Sequence, residues 1–269
     1  MTIAPAMGRI LPARFGSRRA ALLIERNALA LGSSWMMIIG GFFEPLFYLL
    51  SIGFGIGGMV GDVPGPGGVP IPYAVFVAPA LLASSAMNGA IADSTYNVFF
   101  KLKYQKLYDA MLATPLGPRD VAVGEITWSL MRGALYSGMF LVVALVAGLV
   151  ESWWALLALP AAVLIGLAFG AVGMFATTFM KTWQHFDYVT LAIQPMFLFS
   201  ATFFPLSTYP ESLQWLVAAT PLYQGVALER ALMLGEVGWP LLGNVAYLGV
   251  LGVAGVIGTS RRIGRLLLT

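Results

Sequence analysis

Cysteine is absent from this 269-residue chain, and histidine occurs once, at His185. Without cysteine there is no disulfide framework, no thiolate metal site and no thiol nucleophile. A single histidine leaves no H-E-x-x-H zinc motif, and G-x-S-x-G is missing as well. No glycine is followed by lysine, so the G-x-x-x-x-G-K-[ST] loop is absent and ATP binding by that route is excluded. Charge is scarce too. Only 10% of residues are Asp, Glu, Lys or Arg, against about 25% in ordinary soluble domains.

What fills the chain is apolar: 59% of residues are hydrophobic, and the mean hydropathy is +0.83. Length therefore counts membrane spans rather than soluble domains. The net charge of +3 does not indicate a nucleic-acid partner, because the basic residues sit at span ends and form no continuous basic face. The expectation is an all-α polytopic protein of the plasma (inner) membrane, in contact with membrane lipid.

Residues 1–33 form an expected cytoplasmic segment. The first apolar run, Ala20–Ile24, is too short for a signal-peptide core, so the segment is expected to be retained. From Arg14 to Leu31 helical winding gathers Arg14, Arg18, Arg19, Glu25 and Arg26 within roughly 140°, with Ala20, Ile24 and Leu31 opposite. Phe15, Leu22 and Leu29 intrude on the charged sector. An amphipathic helix lying at the inner membrane surface fits this pattern, and a poorly ordered basic tail is the plainer alternative.

The transmembrane region is expected over 34–260, with six spans at about 34–56, 73–99, 128–150, 154–180, 188–204 and 237–260. Glu44 and Asp93 fall within or beside these spans. Intramembrane carboxylates suit a proton relay, and equally suit a helix-bonding role for Glu44 and a solvated interfacial role for Asp93. Gly249, Gly252, Gly255 and Gly258, at every third position of the last span, allow close helix approach. Ser212–Leu228 is uncharged but short and is broken at Thr220-Pro221. It reads as a re-entrant helical hairpin on the outer face, after which Glu229, Arg230 and Glu236 are expected to return to water. A basic tail, 261–269, ends the chain.

Orientation follows from Lys and Arg. Five precede the first span, five lie between Lys101 and Arg132, one is Lys181 and three are in the tail; Arg230 alone falls on the other side. Both termini are then cytoplasmic, as is the polar stretch Lys101–Glu125. Within it, Tyr104, Leu107, Tyr108, Met111 and Leu112 share one helical face, and Thr114-Pro115-Leu116-Gly117-Pro118 stops the helix. His185 lies in a cytoplasmic loop beside Trp183 and Phe186 and reads as an ordinary contact residue.

Two stretches carry a resemblance. YDAMLATPLGPRDVAVGE (Tyr108–Glu125) and FLFSATFFPLSTYPESLQWLVAATPLYQGVALERAL (Phe197–Leu232) resemble the membrane subunit of ABC-2-type exporters. The nearest groups are the nodulation protein J group, whose members export lipo-chitooligosaccharides with an ATPase partner, and the daunorubicin-resistance permeases. The likeness runs from the N-terminal helix to the last span. It implies an N-terminal helix (Arg14, Arg18, Arg19, Arg26) touching the ATPase. It also implies a coupling helix, Lys101–Ala113, whose Lys101, Lys103, Tyr104, Gln105, Lys106, Leu107, Tyr108 and Asp109 meet a nucleotide-binding subunit. Two such subunits would carry ATP and magnesium, this chain binding no cofactor, and a second permease copy or a homologous permease would complete the unit. Glu44, Phe47, Tyr48, Phe203, Phe204, Pro205, Pro221 and Tyr223 are the pathway or gate candidates, against the plainer reading that the aromatics pack or face lipid. The resulting function is export of an amphipathic lipo-oligosaccharide, glycolipid or hydrophobic drug. A carrier or channel driven by an ion gradient, without an ATPase, is the alternative.

Overall fold

Helices dominate the computed structural model, which describes residues 18–31, 43, 45–65 and 68–267. Arg14, Glu44 and most of the opening half of the first expected span lie outside the described residues, as do the side chains of Arg18 and Arg19. The first helix, α1 (Arg18–Leu31), buries Leu23, Ile24 and Asn27 and exposes Leu22, Arg26 and Leu29. Leu22 and Leu29 therefore share the outward sector with Arg26, and the buried strip packs along the helix that spans Pro118–Val146. Helix α2 (Pro45–Val60) is wound in wide π-type turns over Leu49–Ile56. The Gly- and Pro-rich loop that follows pairs β1 (Asp62–Pro64) with β2 (Pro70–Pro72) in a small antiparallel ribbon, Val63 opposite Ile71.

The central element is α3 (Tyr73–Tyr104). Its first twenty residues are almost all buried, from Tyr73 to Ile91. Wide turns at Asp93–Asn97 and Phe100–Tyr104 carry it past the expected end of the second span. Three large apolar clusters stack along this helix, beside a smaller one of Phe99, Met180 and Phe186. One joins Phe76 and Leu82 to Phe140 and Met233. The next joins Met87 to Ile165, Leu222 and Leu248. The last joins Val98 and Leu102 to Leu23, Tyr108, Met174 and Ile263. Between helices in a bilayer such contacts hold by close packing rather than by release of water.

The expected helix over Lys101–Ala113 is not continuous. Winding stops at Gln105, Lys106 takes a left-handed conformation (φ 48°), and a separate helix, α4, covers Leu107–Leu112. Tyr108 and Met111 are buried and Leu107 and Leu112 half-buried, as their spacing implies, but Tyr104 is 62% exposed because the break turns it off that face. Helix α5 (Pro118–Val146) begins at Pro118, which has no N–H to leave unpaired, and the Asp120 carboxylate accepts the Gly117 N–H at 3.0 Å.

Helix α6 (Trp153–Thr177) and the last helix, α10 (Pro240–Leu267), pack against each other over much of their length. The seam is made of glycines. A Cβ at Gly255 would lie 2.8 Å from the Ala171 carbonyl carbon, whereas one at Gly249 would meet nothing within 4 Å. Helix α7 (Phe186–Phe199) is short for a span, about 21 Å at 1.5 Å per residue against a hydrocarbon core of about 30 Å. Among the described residues four helices are long and apolar enough to cross a membrane: α3, α5, α6 and α10, the last to Leu266; α2 is apolar but shorter.

Between α7 and α10 lie two short helices, α8 (Glu211–Ala218) and α9 (Pro221–Leu234). Thr220 separates them: its hydroxyl accepts the Tyr223 N–H, and Pro221 opens α9. Gly235, at φ 88°, ends α9 in the left-handed cap. Glu229 and Arg230 do not return to water. Glu229 is fully buried. Arg230 donates to the Phe76 and Ala201 carbonyls, with its guanidinium 3.9 Å from the Phe76 ring centre. Arg230 thereby fastens α9 to the first turn of α3 and to the chain leaving α7.

Candidate functional site

Two polar constellations interrupt the apolar interior. The first lies where α1, α3, α4 and α5 meet. Lys101 and Glu125 are both buried, and the Lys101 ammonium donates to both Glu125 oxygens, at 2.7 and 3.0 Å. It also donates to the Asn27 side-chain oxygen at 3.1 Å, while the Asn27 amide donates to Glu125 at 3.3 Å. The Tyr108 phenol is fully buried, and its pKa is pushed well above the ordinary value, first by burial and then by the Glu125 charge. Three segments, α1, α3 and α5, are thus tied at one polar knot, with Tyr108 of α4 buried beside it and little of the ion pair reaching water.

This placement divides the residues expected on a partner surface. Lys103, Tyr104, Gln105, Lys106 and Asp109 are exposed, Leu107 is half-buried, and Lys101 and Tyr108 are interior. A buried ammonium held by Glu125 and Asn27 is not a surface contact, so Lys101 belongs to the joint behind the surface. Tyr104 stacks on Phe100, ring centres 5.3 Å apart, and both are exposed. Arg26 is exposed on α1.

The second constellation is a cavity of about 480 Å³ between α2, α3, α5 and α7. One stripe of α3 lines it: Leu81, Ser84, Ser85, Asn88 and Ala92, returning every turn. Asp93 and Tyr96 continue the lining, Arg132 and Tyr136 enter from α5, and Tyr48 and Phe197 enter from α2 and α7. Arg132 Nη1 donates to Asp93 at 2.8 Å and Nη2 to the Tyr136 hydroxyl at 3.0 Å. Asp93 is ion-paired within the protein rather than solvated at an interface, and Arg132 sits in the middle of α5. A carboxylate and a guanidinium this deep are stable because each supplies the other's countercharge. The cavity wall is therefore mixed, more apolar than polar, and close to neutral, with aromatic side chains among its lining.

Of the pathway candidates among the described residues, only Tyr48 reaches this cavity, its ring 5.8 Å from that of Phe197. Phe203 stands edge-on to Phe197 from outside, and its carbonyl accepts the Tyr73 hydroxyl. Phe47 and Phe204 are exposed, and Pro205 and Tyr223 half-buried. Pro221 borders a separate apolar cleft of about 440 Å³ between α6 and α7. His185, at the mouth of that cleft, pairs with the Thr182 hydroxyl at 2.8 Å, as an ordinary contact residue does.

A bundle of long apolar helices around a cavity holding a buried ion pair is the architecture of a polytopic membrane protein. The chain belongs to the ABC-2 type transporter family, whose model matches residues 19–234. It is similar to nodulation protein J of Rhizobium leguminosarum bv. viciae, with 35% identity covering 87% of this chain and 85% of that one. It is similar to nodulation protein J of Rhizobium meliloti (strain 1021), with 33% identity covering 87% and 84%. The same protein of Azorhizobium caulinodans is 24% identical over 77% of this chain and 80% of its own length.

Proposed function

We propose that this chain is the membrane half of an ATP-driven exporter that moves an amphipathic molecule, with a lipo-oligosaccharide, a glycolipid or a hydrophobic drug as the candidate classes, out across the plasma membrane. The observation that carries the reading is the family match across residues 19–234. Two permeases, identical or homologous, work with two cytoplasmic subunits that bind ATP and magnesium, and this chain binds neither. Both termini and the turn Lys103–Lys106 face the cytoplasm, following the Lys and Arg distribution. The α8–α9 pair lies at the outer face as a re-entrant hairpin, and α2 and α7 complete six spans.

In this mechanism ATP draws the two soluble subunits together because it binds that closed state more tightly, as any ligand-driven shift requires. Each subunit grips the exposed surface formed by Lys103, Tyr104, Gln105, Lys106 and Asp109. Displacement of that surface passes through the buried Lys101–Glu125 joint into α3 and α5 together, and along α3 to the cavity at Asp93 and Arg132. Phe47, Tyr48, Phe203 and Phe204 flank the route, and Glu44 remains a candidate on it.

The test is reconstitution. The chain tagged and drawn from native membranes co-purifies with an ATP-binding subunit in comparable amount. In vesicles the complex transfers a fluorescent acylated oligosaccharide only with ATP. Lys103→Glu and Lys106→Glu combined with Tyr104→Asp abolish transfer while the complex still assembles. Transfer by this chain alone under an ion gradient, or full ATP-driven transfer by the triple variant, would overturn the reading.

A further inference from the structure

A third cavity lies apart from both constellations. It is a groove of about 520 Å³ on the outer side of the bundle, where α10 crosses α6 beside the start of α5. Its floor is apolar, formed by Leu167, Val256 and Ile257, and its end is polar, with Ser260, Arg261 and Arg119. On α10 these positions recur at helical spacing, so one strip of the helix passes from aliphatic to basic along its length. Arg119 and Arg261 are exposed, and neither makes an ion pair or hydrogen bond among the described residues. Among the described residues no acidic side chain lines the groove.

We propose that this groove binds one anionic phospholipid, its phosphate between Arg119 and Arg261 and an acyl chain along Val256, Ile257 and Leu167. Two uncompensated guanidiniums at the end of an apolar slot match such a lipid in both charge and shape, and basic pockets between spans at the cytoplasmic side are ready sites for anionic headgroups. A zwitterionic headgroup would bring a cation against the two arginines. A free phosphate would leave the aliphatic floor uncovered. The placement in the inner leaflet rests on the orientation proposed above.

The experiment is native mass spectrometry of the purified full-length protein with phosphatidylglycerol or phosphatidylcholine. The wild type retains phosphatidylglycerol in preference. R119Q combined with R261Q weakens that retention roughly ten- to thirty-fold, the ordinary contribution of two basic residues facing anionic lipid. Ile257→Trp, which fills the slot and keeps both arginines, weakens it as well, and decides the matter should the double variant fail to assemble. Lys181→Gln, which removes an exposed basic residue elsewhere, leaves retention unchanged, and excess glycerol 3-phosphate does not displace the lipid. Equal retention by wild type and the variants, an equal loss in Lys181→Gln, or displacement by glycerol 3-phosphate overturns the site. The orientation is read separately, by labelling a single cysteine at position 181 from one side of the membrane, so its failure is distinguishable from failure of the site.

Discussion

Lys101 and Glu125, 24 positions apart, are joined at 2.7 Å with 9% and 3% of their side chains exposed. Removing one partner of such a pair leaves an uncompensated charge and costs about 3–5 kcal/mol. Glu125→Ala is therefore expected to lower the unfolding temperature sharply, measured by tryptophan fluorescence in detergent. Lys101→Met with Glu125→Leu replaces the pair by apolar groups and is expected to recover most of the loss. A single variant as stable as wild type would mean that the pair does not form.

Asp93 and Arg132 form the second ion pair and line the cavity, so their removal is expected to affect transport as well as stability. Asp93→Ala and Arg132→Met each reduce ATP-driven transfer. The double variant is less impaired than the sum of the two, with an interaction energy of about 0.5–3 kcal/mol from a double-mutant cycle. Additive losses would show that the two side chains act independently.

Lys106 occupies a left-handed conformation that costs a residue with a Cβ about 1–2 kcal/mol. It is exposed, so no packing is lost on truncation. Lys106→Gly is expected to raise the unfolding temperature slightly while weakening stimulation of the ATPase. A lower unfolding temperature would place the stabilising role in the lysine side chain itself.

Gly255 and Gly249 lie in the same glycine series but meet different surroundings. Gly255→Leu drives a side chain into the α6 backbone and is expected to prevent stable assembly. Gly249→Leu points into open space and is expected to be tolerated. Yield and monodispersity on size-exclusion chromatography separate the two outcomes.

Much of this architecture was legible in the chain. The glycine series announced a close seam, and three of its four members do meet α6. The spacing of Tyr108 and Met111 announced a buried face, and Thr220-Pro221 a break between helices. What escaped notice depends on contacts distant in sequence. Lys101 reads as a surface charge until Glu125 and Asn27 are seen around it. Asp93 and Arg132, 39 positions apart, look like span-end charges because no local pattern says that two helices bring them together. The stripe Ser84, Ser85 and Asn88 was visible as a polar run in an oily helix, and with Tyr48 and Asp93 it was a signal for the cavity. Arg230 was counted as external and solvated, whereas backbone carbonyls from two other segments enclose it.

The wide turns of α3 set a constraint on length. Ordinary winding advances about 100° per residue, and each wide turn holds more residues than that, so the direction in which Lys101 points is fixed by the slack accumulated between Asp93 and Tyr104. Deleting a single residue from 93–97 would let that turn regularise with the ammonium still facing Glu125, because four residues of ordinary winding turn about as far as five of wide winding. Inserting one while the rest of the winding stays as it is would swing the ammonium about 100° off Glu125 and leave the serine stripe above untouched. The winding between cavity and joint thus works as a phase setting, one that tolerates the loss of a residue a wide turn can release but not the gain of another.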